Sequence, residues 1–531
     1  MSADSIKTMI SMIAYLLFMV GIGVFYAKRS NEDSESYYIG GRSLGPFVAA
    51  MSAEASDMSG WLLMGLPGVA YWCGLADAAW TAVGLAIGTY INWKIVSKPL
   101  RRYSEIADNA ITIPEFFSKR FHEKKNVLLV LAAMMIVIFF TVYSASCFVT
   151  AGKLFNAVFG FNYQLMVFFG AFIVVAYTLM GGFLAESVSD FVQGIVMIIA
   201  LVAVLIGGII HAGGIGAVLD NIKNIPGFFD FFQIATPQLS EAGKQISQDG
   251  VPLFGAAAPY AFLTILSTLS WGLGYFGMPQ VLLRFMAIRR VDELGRARIT
   301  AVTWCVISLI AAVLIGIIGR TIFPVAFDTA GGAENIFSML SALLFHPLFA
   351  GIIMAGILAA TMSSSDSYLL IASSAISRNL FKGVLKKDAT DAQIMLVGKI
   401  TLLAIMMVGI LIALDENSVI FEIVSFAWSG FGATFGPLML FSIFWKRTTH
   451  TGAVAGMLTG FATVFVWKLA LKPLGGVFGI YELLPAFLLS TIVIVVVSLS
   501  TPKPSAEIYK EFEYAHMKGG HIKFKEDNKT A

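Results

Sequence analysis

Charge is scarce in this 531-residue chain: Asp, Glu, Lys and Arg make up 13% of it, against 57% hydrophobic residues. Soluble domains carry about 25% charged residues, so a soluble multidomain enzyme is excluded at the outset. The net charge is only +3 and is dispersed, which excludes nucleic acid as a partner, because such binding needs a concentrated basic face. Cysteine is nearly absent. Cys73, Cys147 and Cys305 each lie in or beside an apolar stretch, an odd set that fits membrane-packed small hydrophobes and not a disulfide or metal framework. Catalytic signatures are missing as well: there is no His-Glu-x-x-His, no phosphate-binding loop and no Cys-x-x-Cys. The six histidines are scattered apart from His516 and His521, and no nucleophile, base and oxyanion group can be assembled. The expectation is a protein that is not an enzyme.

What the chain has in abundance is apolar runs of spanning length. Thirteen of them fall near 8–27, 45–72, 77–97, 127–152, 162–182, 188–212, 256–283, 299–322, 337–376, 396–414, 418–444, 450–470 and 481–499. The first ends at Lys28-Arg29 and has no small-residue cleavage site, so it reads as a retained span. An odd number of crossings puts the termini on opposite sides. With the N-terminus outside, all but seven of the 36 lysines and arginines fall inside, the loop from Arg284 to Arg298 among them; the exceptions are Lys7, Lys153, Lys223, Lys244, Arg320, Lys468 and Lys472. The expected location is therefore a multi-pass position in the cell membrane, with a cytoplasmic C-terminus. The long outside connection, 213–255, is rich in Gly, Asn, Asp, Pro and Gln and reads as an exposed loop with one short helix.

Two spans are interrupted at their middles: Ser52-Ala-Glu-Ala-Ser-Asp-Met-Ser-Gly60 in the second, and Trp271-Gly-Leu-Gly-Tyr-Phe-Gly277 with Pro279 in the seventh. Glycines in spans also serve simple helix packing. A matched pair of interruptions five spans apart, one beside a carboxylate, fits two inverted five-helix repeats whose first helices are broken to hold ions and solute.

A charge inside an apolar span costs about 2.5–3.5 kcal/mol, so each one needs a partner, a cavity or an ion. Four acids qualify: Glu54, Asp57, Asp190 and Asp366. Asp57 sits among Ser56, Ser59 and Gly60, where its carboxylate can attract a cation or order unwound backbone. Two readings stand for Glu54, a functional acid or a protonated or arginine-paired structural one. Asp190 reads equally as a helix N-terminal acid, and Glu186 as interfacial. In the ninth span, Ala359-Ala-Thr-Met-Ser-Ser-Ser-Asp-Ser367 gathers hydroxyls suited to a small hard cation, although single serines more often bond back to their own helix. Trp61, Trp271, Tyr275 and Trp428 lie near the interruptions, where aromatic faces can wall a pocket.

The ordered segments Gly40-Gly-Arg-Ser-Leu-Gly-Pro-Phe47, Ala55-Ser-Asp-Met-Ser-Gly-Trp-Leu-Leu-Met-Gly-Leu-Pro67, Gly181-Gly-Phe-Leu-Ala185, Gly272-Leu-Gly-Tyr-Phe-Gly277 with Arg284-Phe-Met286, and Ala427-Trp428 through Phe435-Gly-Pro437 resemble the solute:sodium symporter family and, within it, its bacterial proline-transporting branch. The resemblance covers nearly the whole chain. It implies an all-α membrane protein with a leucine-transporter-type 5+5 inverted-repeat core over 45–444. Residues 1–44 would supply one preceding helix, 445–500 two following helices, and 501–531 a cytoplasmic tail. It implies sodium-coupled uptake of L-proline by alternating access. The sodium site would comprise the carbonyls of Ala55, Met58 and Ala360 and the hydroxyls of Ser363 and Ser364, with Asp57 as the coupling acid. The solute pocket would map to Ser59, Gly60, Trp61, Trp271, Tyr275, Pro279 and Trp428, and a second sodium to Asp190, Asp366 and Ser367. Glu54 and Asp366 depart from the family pattern and bear on ion stoichiometry. The alternatives are a symporter of another amino acid, a vitamin carboxylate or a sugar acid, and a membrane solute sensor, against which the short tail argues. The bilayer, sodium and a small solute are the expected partners, with no obligatory protein partner.

Overall fold

The computed structural model describes residues 2–30 and 34–517, and within these the side chains of 26–30, 34–36 and 180–181 are left aside. The expected tail beyond residue 517, with His521, and the side chains of Lys28 and Arg29 therefore lie outside the described residues. An apolar solvent cannot satisfy backbone N–H and C=O groups, so runs of this composition close their hydrogen bonds locally as helices. The thirteen runs are mainly helical, but the run 256–283 opens on a strand, Ala258–Pro259, and the run 337–376 is split between Ile336–Leu344 and Pro347–Ser374. The described strands are two small antiparallel pairs in the 213–261 connection, Gln233–Ile234 with Ala258–Pro259 and Ser247–Gln248 with Val251–Pro252, which follow one short helix, Ile215–Ile222.

Among the described residues, nine helices are long and apolar enough to cross a membrane, and Tyr163–Leu179 and Phe262–Phe276 are shorter apolar helices. The chain is a multi-pass membrane protein. Its two ends are defined by contacts along Pro347–Ser374 and its continuation to Leu385. At the start of that helix, Thr8 Oγ1 donates to the Pro347 carbonyl at 3.1 Å. At its far end the Gly383 carbonyl accepts from Asn126 (3.4 Å), and nearby His122 meets Glu511 of the final helix, Ala506–His516, at 3.0 Å. The described termini thus sit at opposite ends of the bundle. Gly207 packs near Phe345, so the 213–261 connection belongs to the end that holds residue 8, here called the loop end.

Both expected interruptions are real breaks. In the second span, Pro46–Gly60 runs on through a π-type turn, Trp61–Gly65, into Leu66–Cys73, and Ser59 leaves helical geometry with φ 46° and ψ −170°. Left-handed backbone at a serine is sterically costly and marks a site held open by its surroundings. In the seventh span, Phe262–Leu269 tightens to a 3₁₀ segment, Ser270–Phe276, passes through extended Met278 and restarts at Pro279–Ala287. Proline suits that restart, since the first turn has no use for its missing N–H.

Tyr163–His211 is not one rod. Gly182 has φ 62° and ψ 177°, and the Tyr177 hydroxyl donates to Ser189 Oγ, two residues that an uninterrupted helix would hold about 18 Å apart. The chain doubles back there, which separates the fifth and sixth spans.

The third span, Leu75–Ile91, meets the seventh span backbone to backbone. A Cβ at Gly88 would lie 2.3 Å from the Gly272 carbonyl oxygen, and one at Gly272 would lie 2.2 Å from that of Gly84. Only glycine fits at this seam.

Candidate functional site

The break at Ser59 puts the second span beside the serine-rich middle of the ninth. Ser363 Oγ donates to the Ala55 carbonyl at 2.8 Å and stands 3.2 Å from that of Ala360, and Ser364 Oγ lies 3.4 Å from the Ala55 carbonyl. Four of the five expected sodium ligands therefore form one buried nest of neutral, hard oxygens. The fifth, Met58, offers a carbonyl one turn further on that accepts the Trp61 amide. Among the described residues no group of three or more His, Cys, Asp or Glu side chains is set to hold a metal ion, so a cation here would rest on carbonyls and hydroxyls.

Asp57, 3% exposed, lies one helical step away. Its Oδ1 accepts from Gln280 Nε2 at 3.1 Å, and its backbone carbonyl accepts from the Tyr143 hydroxyl at 3.3 Å. Neither partner is a cation. Gln280, at the restart of the seventh span, was not singled out from the sequence. Glu54 faces elsewhere: Oε1 accepts from Trp93 Nε1 at 3.1 Å, while Oε2 is buried without a partner.

Two of the three expected second-sodium residues, Asp190 and Ser367, converge on an arginine. Arg284 Nη2 donates to Ser367 Oγ (2.8 Å) and Asp190 Oδ2 (3.2 Å) and pairs closely with Glu186 Oε1. Its Nε donates to Ser52 Oγ at 3.0 Å, and Ser52 in turn donates to Asp190 Oδ2 at 2.7 Å. Asp366 accepts the Ser367 amide at 2.8 Å through Oδ1 and keeps Oδ2 unpartnered. Two readings need correction. Arg284 is not in an inside loop but fully buried in Pro279–Ala287, and Glu186 is not interfacial but 4% exposed, drawn inward by that guanidinium. The rule that flagged intramembrane acids applies equally to an arginine in an apolar run, and it would have found this one.

The aromatic residues assemble as a cluster. Trp61 and Trp271 ring centroids are 5.5 Å apart, Trp271 and Trp428 6.1 Å, and Tyr275 and Trp428 5.1 Å edge-to-face. Trp428 Nε1 donates to the Trp271 carbonyl at 2.8 Å, which fixes the eleventh span to the seventh break. Two members were missed: Phe421 stacks near Trp61 (6.0 Å) and Trp271 (5.3 Å), and Tyr481 lies 5.1 Å from Trp271. Trp61 Nε1 is buried without a partner, a donor left for a ligand, and the Tyr275 hydroxyl stands beside Asp57 and Thr89. Ser59 Oγ accepts the Trp61 amide at 3.2 Å, and Gly60 has no room for a side chain, since a Cβ would sit 2.4 Å from Thr150. Pro279 is apart from the cluster and lines a small cavity with Tyr38, Ile113 and Leu283.

A buried ion pair closes the loop end above the rings. Glu334 accepts from Lys153 Nζ at 2.6 Å and from the Ile420 and Phe421 amides at 3.1 and 3.0 Å, so it caps the helix that carries Phe421. A carboxylate at a helix N-terminus is favoured by both the free N–H groups and the dipole.

Broken helices five spans apart, with carbonyls and hydroxyls freed at one break, define a secondary transporter of the inverted-repeat type. The solved structures agree on the fold. A sodium-coupled sialic acid symporter in a substrate-bound outward-open state superposes with TM-score 0.74 at 19% identity, covering 94% of this chain and 99% of that one. MhsT in complex with L-phenylalanine superposes at 0.51 and 15% identity, covering 85% and 98%.

The chain belongs to the Sodium:solute symporter family, whose pattern matches residues 37–460. The osmoregulated proline transporter OpuE of Bacillus subtilis (strain 168) is 41% identical over 509 residues, covering 96% of this chain and 98% of that protein. The sodium/proline symporter of Staphylococcus aureus (strain USA300) is 40% identical over 506 residues, covering 94% of each. The protein is a sodium-coupled transporter and not an enzyme.

Proposed function

We propose that this protein couples inward sodium movement to uptake of L-proline across the cell membrane by alternating access. The observation that carries the reading is the nest joining Ala55 to Ser363 and Ser364, with a cation-free Asp57 beside it and the tryptophan cluster beyond the same break. In the absence of the ion, the Ser363 hydroxyl hydrogen points at the Ala55 carbonyl. Sodium binding turns it away, so that both oxygens face the ion and the second span is tied to the ninth. Asp57 supplies the long-range attraction, and its Gln280 amide holds the carboxylate in place meanwhile. The solute's ammonium group meets aromatic faces, its ring packs on Trp61 and Trp271, and its carboxylate faces amides freed at the breaks. The relatives named for proline support that solute over a sugar acid or a vitamin carboxylate.

The orientation proposed from the basic residues places the loop end and the N-terminus outside and the final helix in the cytoplasm. One charge crossing about 100 mV contributes about 2.3 kcal/mol, and a tenfold sodium gradient about 1.4 kcal/mol. Together they sustain accumulation of a few hundredfold. Arg284 already stands among Glu186, Asp190 and Ser367, and this supports one transported sodium, the guanidinium serving as the cation of the second position.

The test is radiolabelled L-proline uptake into proteoliposomes, with an inward sodium gradient or with choline in its place, for wild type and Asp57→Asn. Sodium-dependent uptake that falls about 100-fold in the variant is the expected result, equivalent to about 2.7 kcal/mol. Absence of uptake under either condition rejects proline. Uptake unchanged in Asp57→Asn rejects the role given to that acid.

A further inference from the structure

At the loop end, the helix Leu294–Ile322 presents an arginine that the transport site does not use. Arg320 is 2% exposed. Its guanidinium lies between the rings of Tyr71 and Phe254, at 4.6 and 4.9 Å from their centroids. Nη2 donates to Gln245 Oε1 at 2.7 Å, while Nε and Nη1 are buried with no partner. The other buried cation at this end is neutralised: Lys153 has Glu334. Among the described residues no carboxylate lies within ion-pairing distance of Arg320, and Asp328, whose backbone carbonyl accepts the Gln245 amide, is paired with Lys244 at 2.8 Å. A buried guanidinium that answers only one of its hydrogen-bonding directions and has no counter-charge is costly.

The same arginine lines an open cleft of about 550 Å³ between the 213–255 connection and the helix end, with Asn221, Asn224 and Thr321 as further polar walls and Val251 and Phe254 as apolar ones. Rings cover both faces of the guanidinium, its Nε and Nη1 are covered and unanswered, and the same side chain borders a cavity with amide and hydroxyl walls.

We propose that this cavity is a binding site for a small monovalent anion, a halide or a carboxylate, with Arg320 as its charged anchor and Asn221, Asn224 and Thr321 as neutral partners. The site is separate from the sodium nest and the aromatic cluster, and it does not depend on which solute is carried. Bound anion neutralises Arg320 and clamps the loop onto the helix end, so it stabilises the folded protein in proportion to its occupancy.

The test is the thermal unfolding midpoint of the full-length protein in detergent at fixed sodium, with HEPES as the starting anion replaced stepwise by chloride or by acetate. A saturable rise of at least about 2 °C is expected. Response to chloride identifies an inorganic ligand; response to acetate alone identifies a carboxylate and points to the solute itself. Arg320→Met removes the anchor and abolishes the response. Asn224→Asp keeps Arg320 but introduces a fixed carboxylate in the wall, and cuts the response at least threefold, which guards against misfolding of the first variant. No saturable rise with either anion in wild type, or an undiminished rise in Arg320→Met, overturns the proposal.

Discussion

Two buried clusters meet the second span, one at Ser52 and one at Ala55 and Asp57, and they meet the cost of burying polar groups in opposite ways. Around Ala55 and Ser363 the oxygens are neutral, the nearby carboxylate of Asp57 is held by an amide, and no side-chain cation is present. Around Arg284 the guanidinium is permanent and is tied to Ser52, Glu186, Asp190 and Ser367. The first arrangement, the sodium site proposed above, leaves its oxygens neutral and open to an ion; the second carries its cation covalently and cannot release it. On that proposal a transport site is distinguished from a structural knot by what it lacks, a fixed charge of the sign it is meant to bind.

The comparison can be broken by mutation. Arg284→Met strips the cation from a buried pair and leaves Glu186 and Asp190 facing each other; it is expected to cost about 3–5 kcal/mol of stability, read as lost monodisperse protein and a lowered unfolding midpoint. The triple change with Glu186→Gln and Asp190→Asn recovers part of that loss. Ser363→Ala removes one oxygen from the nest without burying a charge. It raises the half-saturating sodium concentration roughly tenfold, a loss of about 1.4 kcal/mol, with the unfolding midpoint nearly unchanged. Glu54→Gln keeps the oxygen that receives Trp93 Nε1–H and touches neither cluster. It shifts half-saturating sodium less than about twofold in the same uptake assay, well within one hydrogen bond's worth. A large effect at Glu54 would show that the nest extends one residue back along the second span, beyond Ala55.

Much of this was legible in the sequence. The helical runs, the two breaks and the acid at the first break follow from apolar length, glycine interruption and the cost of an intramembrane charge. Four ligands of the nest share one place because residues 55–60 and 359–367 are the polar stretches of their spans. Partnerships were harder to see. Arg284 was read as a loop cation because basic residues cluster after it, and Glu186 as interfacial because it falls between the runs 162–182 and 188–212. Only the doubling back at Gly182 brings that acid inward to meet the arginine. Gln280, Phe421 and Tyr481 left no local trace: an amide and two aromatics are ordinary in apolar helices until a distant element is folded against them. Pro279 was assigned to the pocket by resemblance; it starts the helix that follows extended Met278 and lines a small cavity with Tyr38, Ile113 and Leu283.

The glycine seam between the third and seventh spans also bears on how such a molecule can move. With backbone pressed to backbone at Gly84, Gly88 and Gly272, no side chains lie between them to act as bearings, and rotation of one rod over the other would drive carbonyl oxygens into α-carbons. The seam resists sliding of one span over the other, and the joints already out of helical register lie elsewhere, at Ser59, Gly182 and Met278.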